Sequence, residues 1–148
     1  MFKFKLFLLS LMVLFLLGCE KKIEKGPAKI HWDRDMCTRC VMVLSDRKNT
    51  LQLKDPNTGR VFKFDDIGCM ILWFEEENID YKDSVKIWIT DAKTGEWIDA
   101  RNAFYTTNNI TPMGYGFSGY KSKESIKEGE EIVSYDEAVK RVLKIEGY

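Results

Sequence analysis

The stretch Leu51-Gln52-Leu53-Lys54-Asp55-Pro56-Asn57-Thr58-Gly59-Arg60-Val61-Phe62-Lys63-Phe64-Asp65-Asp66-Ile67 decides the fold. Leu51 to Lys54 and Arg60 to Phe64 are short, alternating and β-prone. Asp55 to Gly59 between them supplies turn chemistry, so the two runs predict a hairpin. Asp65 or Asp66 then caps a helix over about Ile67 to Glu76. Within it Ile67, Met70, Ile71 and Phe74 fall at i, i+3, i+4 and i+7, which marks one buried face. Glu75, Glu76 and Glu77 stand where the helix dipole disfavours negative charge, so the last turn should fray. Val85 to Thr90 reads as the strand that closes a ββαβ unit.

Downstream, Asp91-Ala92-Lys93-Thr94-Gly95 echoes Asp55-Pro56-Asn57-Thr58-Gly59 and is followed by another β-prone run. The echo predicts that the same ββ turn is used twice. Trp97 to Asp99, Phe104 to Thr106, a long Gly- and Tyr-rich excursion from Asn108 to Tyr120, a short helix near Lys121 to Glu128 and a strand Glu131 to Val133 make a second unit. Excursions of that length inside a compact domain are usually functional or mobile. Ser134-Tyr135-Asp136-Glu137 is a capping box, and Val139, Val142 and Leu143 give the closing helix its inner face. The expected class is α+β: two small ββαβ units, about 29–91 and 92–148, with a C-terminal helix.

The N-terminus belongs to a different regime. Lys3 and Lys5 precede an apolar run from Leu6 to Leu17, too short for a membrane span of about 20 residues, so residues 1–18 read as an export signal. The signal ends Leu16-Leu17-Gly18-Cys19, which resembles a bacterial lipobox and makes Cys19 the expected lipidation site. Residues 19–28 then form a polar, lysine-rich tether, and the mature protein is expected on the cell or outer membrane by acyl chains, facing the periplasm or exterior. Loss of Lys3 and Lys5 leaves 21 Lys and Arg against 23 Asp and Glu, a balance that gives no electrostatic reason to expect nucleic acid.

With Cys19 assigned to lipid, Cys37, Cys40 and Cys69 remain, and three thiols cannot all pair in an exported chain. An odd count flags a reactive or metal-binding thiol. Met36-Cys37-Thr38-Arg39-Cys40-Val41-Met42 gathers two thiols and two thioethers just after the single histidine, His31. Flanking charges place this cluster in a loop near the surface, with Val41 to Leu44 following as a β-prone run. Val41 after the second cysteine excludes covalent c-type haem. A thioredoxin-like pair should head a helix, whereas a β-prone run follows here. Structural zinc takes four N or S ligands, which His31, Cys37, Cys40 and Cys69 can supply. Cu(I) takes two or three soft ligands and accepts thioether, so Met42 favours copper. Met113, between Pro112 and Gly114, is a further thioether, whereas Met70 lies on the buried helix face. The chain shows no nucleophile elbow, phosphate-cradling loop or paired-histidine motif, so it does not read as an enzyme. A thiol-disulfide oxidoreductase using Cys37 and Cys40, and a zinc-stabilised interaction module, are the rival classes.

Cys37-Thr38-Arg39-Cys40-Val41-Met42, Phe64-Asp65-Asp66 opening a helix, and Thr111-Pro112-Met113-Gly114 together resemble the NosL family, from about His31 to the final helix. Those proteins are lipid-anchored accessory factors of nitrous oxide reductase. The resemblance implies two ββαβ units and a copper chaperone that delivers Cu(I) to the reductase or another cuproenzyme and its assembly machinery. It maps Cys40 and Met42 onto the family's thiol and thioether and Met113 onto its Pro-Met, with Val41 where the family commonly has glycine. The resulting ligand expectation is Cys40 first, Met42 and Met113 as thioethers, Cys37 as an accessory thiolate, then His31 and Cys69.

Overall fold

The computed structural model describes residues 25–148; the signal segment, Cys19 and most of the tether lie outside the described residues. β1 (Leu51–Lys54) and β2 (Val61–Phe64) form the predicted hairpin, with Leu51 opposite Phe64 and Lys54 opposite Val61. Asp55 Oδ1 accepts the amides of Asn57 at 2.7 Å and Thr58 at 3.1 Å. Gly59 closes the turn at φ 73°, a conformation that favours glycine. The second copy of this pentapeptide behaves alike: Asp91 Oδ1 accepts from Lys93 and Thr94, both at 2.8 Å, and Gly95 sits at φ 76°. It joins β3 (Ile87–Thr90) to β4 (Trp97–Asp99). Both turns therefore serve one four-stranded antiparallel sheet of order β2-β1-β3-β4. The second sheet begins later, with β5 (Phe104–Thr106) between β6 (Ser118–Tyr120) and β7 (Ile132–Val133). The class is α+β, as the sequence predicts.

The first helix, α1, spans Ile67–Glu76. It is not amphipathic in the expected sense, because every residue from Ile67 to Phe74 is buried. The first sheet covers one side, while α2 (Tyr135–Glu146) and the loop before β6 cover the other. At Gly68 a Cβ would fall inside the Tyr115 ring, so only glycine lets that loop lie on the helix. Nor does the acidic end fray. Glu76 takes a two-pronged bond from Arg39 at 2.7 and 2.9 Å, Glu75 pairs with Lys82 at 2.6 Å, and Ile79 N–H donates to Phe74 O. Cations from other segments offset the unfavourable dipole.

Two further expectations change. The helix near Lys121 to Glu128 is only a 3₁₀ turn, Lys123–Ser125, with no buried residue to hold a longer one. Val41 to Leu44 is not a strand, since Val41 has φ 63° and only Met36 and Val43 form a bridge. At the C-terminus α2 starts at its predicted cap, where Ser134 Oγ accepts from Glu137 N–H at 3.2 Å. One hydrophobic cluster runs through both sheets and both helices. Polar bonds stitch the sheets together, Ser118 to Asn49 at 2.8 Å and Lys121 N–H to Asp91 at 2.7 Å. Among the described residues no helix is long and apolar enough to cross a membrane.

Candidate metal centre

The sulfur-rich segment folds as a knuckle. Asp33 N–H donates to Leu44 O, Leu44 N–H to Asp35 O, and Cys37 N–H to Met42 O at 2.8 Å. Val41 N–H reaches back to Cys37 O at 3.1 Å, and its positive φ turns the chain between the two cysteines and Met42. Thr38 docks the knuckle on β2 through its amide to Lys63 O and its hydroxyl from Lys63 N–H. Arg39 docks it on the far end of α1 through Glu76.

That docking delivers Cys37 and Cys40 to the junction of β2 and α1, where Asp65 and Cys69 project. One donor atom from each of Cys37, Cys40, Asp65 and Cys69 lies within 4.8 Å of the other three. Cys37, Asp65 and Cys69 are buried, while Cys40 is half-buried and forms the accessible side. The Cys40 thiol donates to Asp65 Oδ2 at 3.2 Å. Asp65 Oδ1 is buried with no hydrogen-bond partner. Buried carboxylate oxygens are rarely left so, because the lost hydration is costly.

The electrostatics favour one thiolate. A hydrogen bond from Cys69 holds the Cys37 thiol down to about 6 against its burial, with backbone bonds from Cys40, Asp65 and Arg39 assisting. As donor to Cys37, and through burial, Cys69 is pushed up. Burial also pushes Cys40 up to about 12, with Cys37 and Asp65 adding to it. The thiols thus behave as one unit that gives up its first proton readily and resists losing more. Arg39, its charge reinforced first by Glu76, also interacts with Cys69 and provides the nearby cation. A bound cation would supply what the second and third ionisations lack.

The other expected ligands are exposed side chains. Met42, whose carbonyl accepts the Cys37 amide, is 45% exposed. Met113 is 37% exposed, and its amide donates to Asp66, the residue after Asp65. Met36 is exposed as well, and Met70 is fully buried in the core as expected. His31 is exposed beside Asp35, with Nδ1 3.6 Å from Oδ1, and is not among the four clustered donors. Cys69, ranked last from the sequence together with His31, is central. The sequence alone suggests a helix-cap role for Asp65 first. Asp66 alone caps α1 through Gly68 N–H, and Asp65, which accepts the Cys40 thiol, lies four residues before Cys69.

With this geometry in hand, the crystal structure of the copper chaperone NosL from Shewanella denitrificans superposes with a TM-score of 0.57. The match covers 77% of this chain and 96% of that one at 16% sequence identity. The chain shares its fold with NosL. No protein-family model matches the chain, and no curated protein matches it by sequence. At that identity the likeness to NosL establishes architecture alone.

Proposed function

We propose that this protein is a copper chaperone that binds Cu(I) through the thiols of Cys37, Cys40 and Cys69 and passes it to a cuproenzyme. The observation that carries the reading is the convergence of three thiols on one point in a NosL-like fold. Soft thiolates select soft Cu(I), which is content with two or three of them. The half-buried Cys40 gives an incoming ligand access, and the exposed thioethers of Met42 and Met113 are available as softer, exchangeable donors. Cargo has to be held away from water yet surrendered by ligand exchange, and a buried thiol pair with one accessible member meets both needs. We further propose that Cys19 carries the lipid anchor, that the domain faces the periplasm or exterior, and that nitrous oxide reductase is the recipient. The lipobox-like sequence and the NosL-type motifs support those three steps.

The test is an anaerobic Cu(I) titration of residues 20–148 against a chromophoric chelator, with Cys37→Ser, Cys40→Ser, Cys69→Ser and Met113→Ala alongside. One equivalent should bind to the wild type, be lost in the cysteine variants and be weakened in Met113→Ala. Binding indifferent to all three cysteines overturns the ligand set, and no competitive Cu(I) binding overturns the function. Mass analysis of Cys19 from membranes, and copper transfer to the metal-free reductase, test the anchor and the recipient.

A further inference from the structure

The three thiols suffice for Cu(I), yet the cluster contains a fourth donor that a purely soft site does not need. We propose that Asp65 is a metal ligand, and that with Cys37, Cys40 and Cys69 it makes a four-coordinate site for a divalent cation, zinc foremost. Two independent observations carry this. First, the four donor atoms lie within 4.8 Å of one another. A tetrahedral zinc site, with Zn–S near 2.3 Å and Zn–O near 2.0–2.2 Å, sets donor separations of about 3.5–3.8 Å, so the cluster has to contract by only about 1 Å. The Cys40–Asp65 edge, at 3.2 Å, is already short enough. Second, Asp65 is 2% exposed and its Oδ1 has no partner, although its neighbour Asp66 is saturated by Gly68, Thr111 and Met113. A buried carboxylate that meets the thiols through one oxygen and leaves the other unpartnered is the arrangement a cation would complete.

The same residue determines which cations are admitted. A carboxylate is a hard donor that adds little to Cu(I) but suits borderline zinc, and three thiolates with one carboxylate carry the same charge as a four-cysteine zinc cage. Asp65 thus broadens the site from monovalent copper to tetrahedral divalent ions, and zinc competes with copper for the same sulfurs. This inference rests on the thiol set used for the copper reading, but the two fail separately.

The experiment titrates the reduced, metal-free protein with Co(II), Zn(II) and, anaerobically, Cu(I), for the wild type, Asp65→Asn and Cys69→Ser. Wild-type Co(II) protein should show the intense visible bands of tetrahedral cobalt with thiolate charge transfer, and zinc X-ray absorption should resolve three sulfurs and one oxygen. Asp65→Asn should weaken Zn(II) and Co(II) binding by about tenfold or more, at least the loss typical of a supporting residue, while Cu(I) affinity stays within about threefold. Cys69→Ser should weaken both metals. Unchanged zinc affinity in Asp65→Asn, equal loss of copper and zinc, or a zinc shell without oxygen overturns the proposal. The wild-type absorption spectrum decides the matter even if Asp65→Asn does not fold. Zinc bound with oxygen but no Cu(I) binding sinks the copper function and leaves this site standing; Cu(I) binding without tetrahedral Co(II) does the reverse.

Discussion

Thr111 donates its hydroxyl to Asp66 Oδ2 at 2.6 Å, joining the loop before β6 to the N-terminus of α1 across 45 residues of sequence. The Met113 amide adds a bond at 3.1 Å to the same oxygen, while Asp66 Oδ1 caps the helix through Gly68 N–H at 3.0 Å. One carboxylate therefore starts the helix that carries Cys69 and fixes the loop that carries Met113. Asp66→Ala removes a cap and two bonds to a buried charge, and should cost about 2–4 kcal/mol in urea unfolding. Asp66→Asn keeps the cap and should lose less. A loss under 0.5 kcal/mol (about the scale of a neutral surface change) in Asp66→Ala would show that the loop is held otherwise.

Gly68 and Tyr115 make the second clasp between the same segments. A methyl at Gly68 would overlap the ring, and Tyr115 is itself held from outside by its hydroxyl bond to Glu146 at 2.8 Å. Gly68→Ala should destabilise by about 1–3 kcal/mol despite its better helix propensity, because overpacking outweighs it. The check is a double-mutant cycle with Tyr115→Ala. Once the ring is gone the alanine should stabilise, and a penalty that persists would place the strain elsewhere.

The hairpin, both helices and their caps are legible in the sequence because each depends on local chemistry, such as Asp55 and Gly59 in a turn or Ser134 ahead of Glu137. What is not legible depends on residues far apart. Nothing local reveals that Tyr115 and α2 cover the outer face of α1, so the helix looks amphipathic when it is buried from Ile67 to Phe74. The acidic helix end looks frayed because Arg39, which neutralises Glu76, is 37 residues away. For the site, Cys37 and Cys40 announce themselves by spacing. Cys69 and Asp65 join them only through the docking of the knuckle on β2 and α1.

The coupled thiols predict a stability profile with a maximum in pH. Cys37, held down to about 6 from an ordinary value near 9, loses its proton in the folded metal-free protein while the unfolded chain still keeps its own. Between about pH 6 and 9 the unfolded state binds more protons, so stability should rise with pH. Above 9 the unfolded thiols ionise while Cys40 and Cys69, pushed up by burial and by Cys37, resist, so stability should fall. Cys69→Ala removes the donor to Cys37 and should flatten the rising limb. Denaturant midpoints across this range, in reductant and chelator, give the profile. Thiolate ultraviolet absorbance should show one equivalent titrating near 6. An unchanged rising limb in Cys69→Ala would mean that another group is responsible.

Val41 supplies the sharpest test of how the knuckle is built. Its φ of 63° puts a β-branched residue in left-handed backbone, immediately after Cys40 and one residue before Met42. The side chain is 62% exposed, so packing does not repay the strain. The chain therefore adopts a glycine-type turn with a valine, at an energetic cost. A non-glycine residue in this region costs about 1–2 kcal/mol, more for a branched one, whereas glycine adds about 0.5–1 kcal/mol of unfolded-state entropy. Val41→Gly should accordingly stabilise the metal-free protein by about 0.5–1 kcal/mol. Val41→Ala should change stability less, since it keeps the Cβ and the strain. Cu(I) affinity should hold or improve in Val41→Gly, because the bond from residue 41 N–H to Cys37 O already closes the turn and glycine lets it close without distortion. Destabilisation by Val41→Gly, or loss of copper affinity with the fold intact, would mean that the valine side chain itself shapes the approach to Cys40.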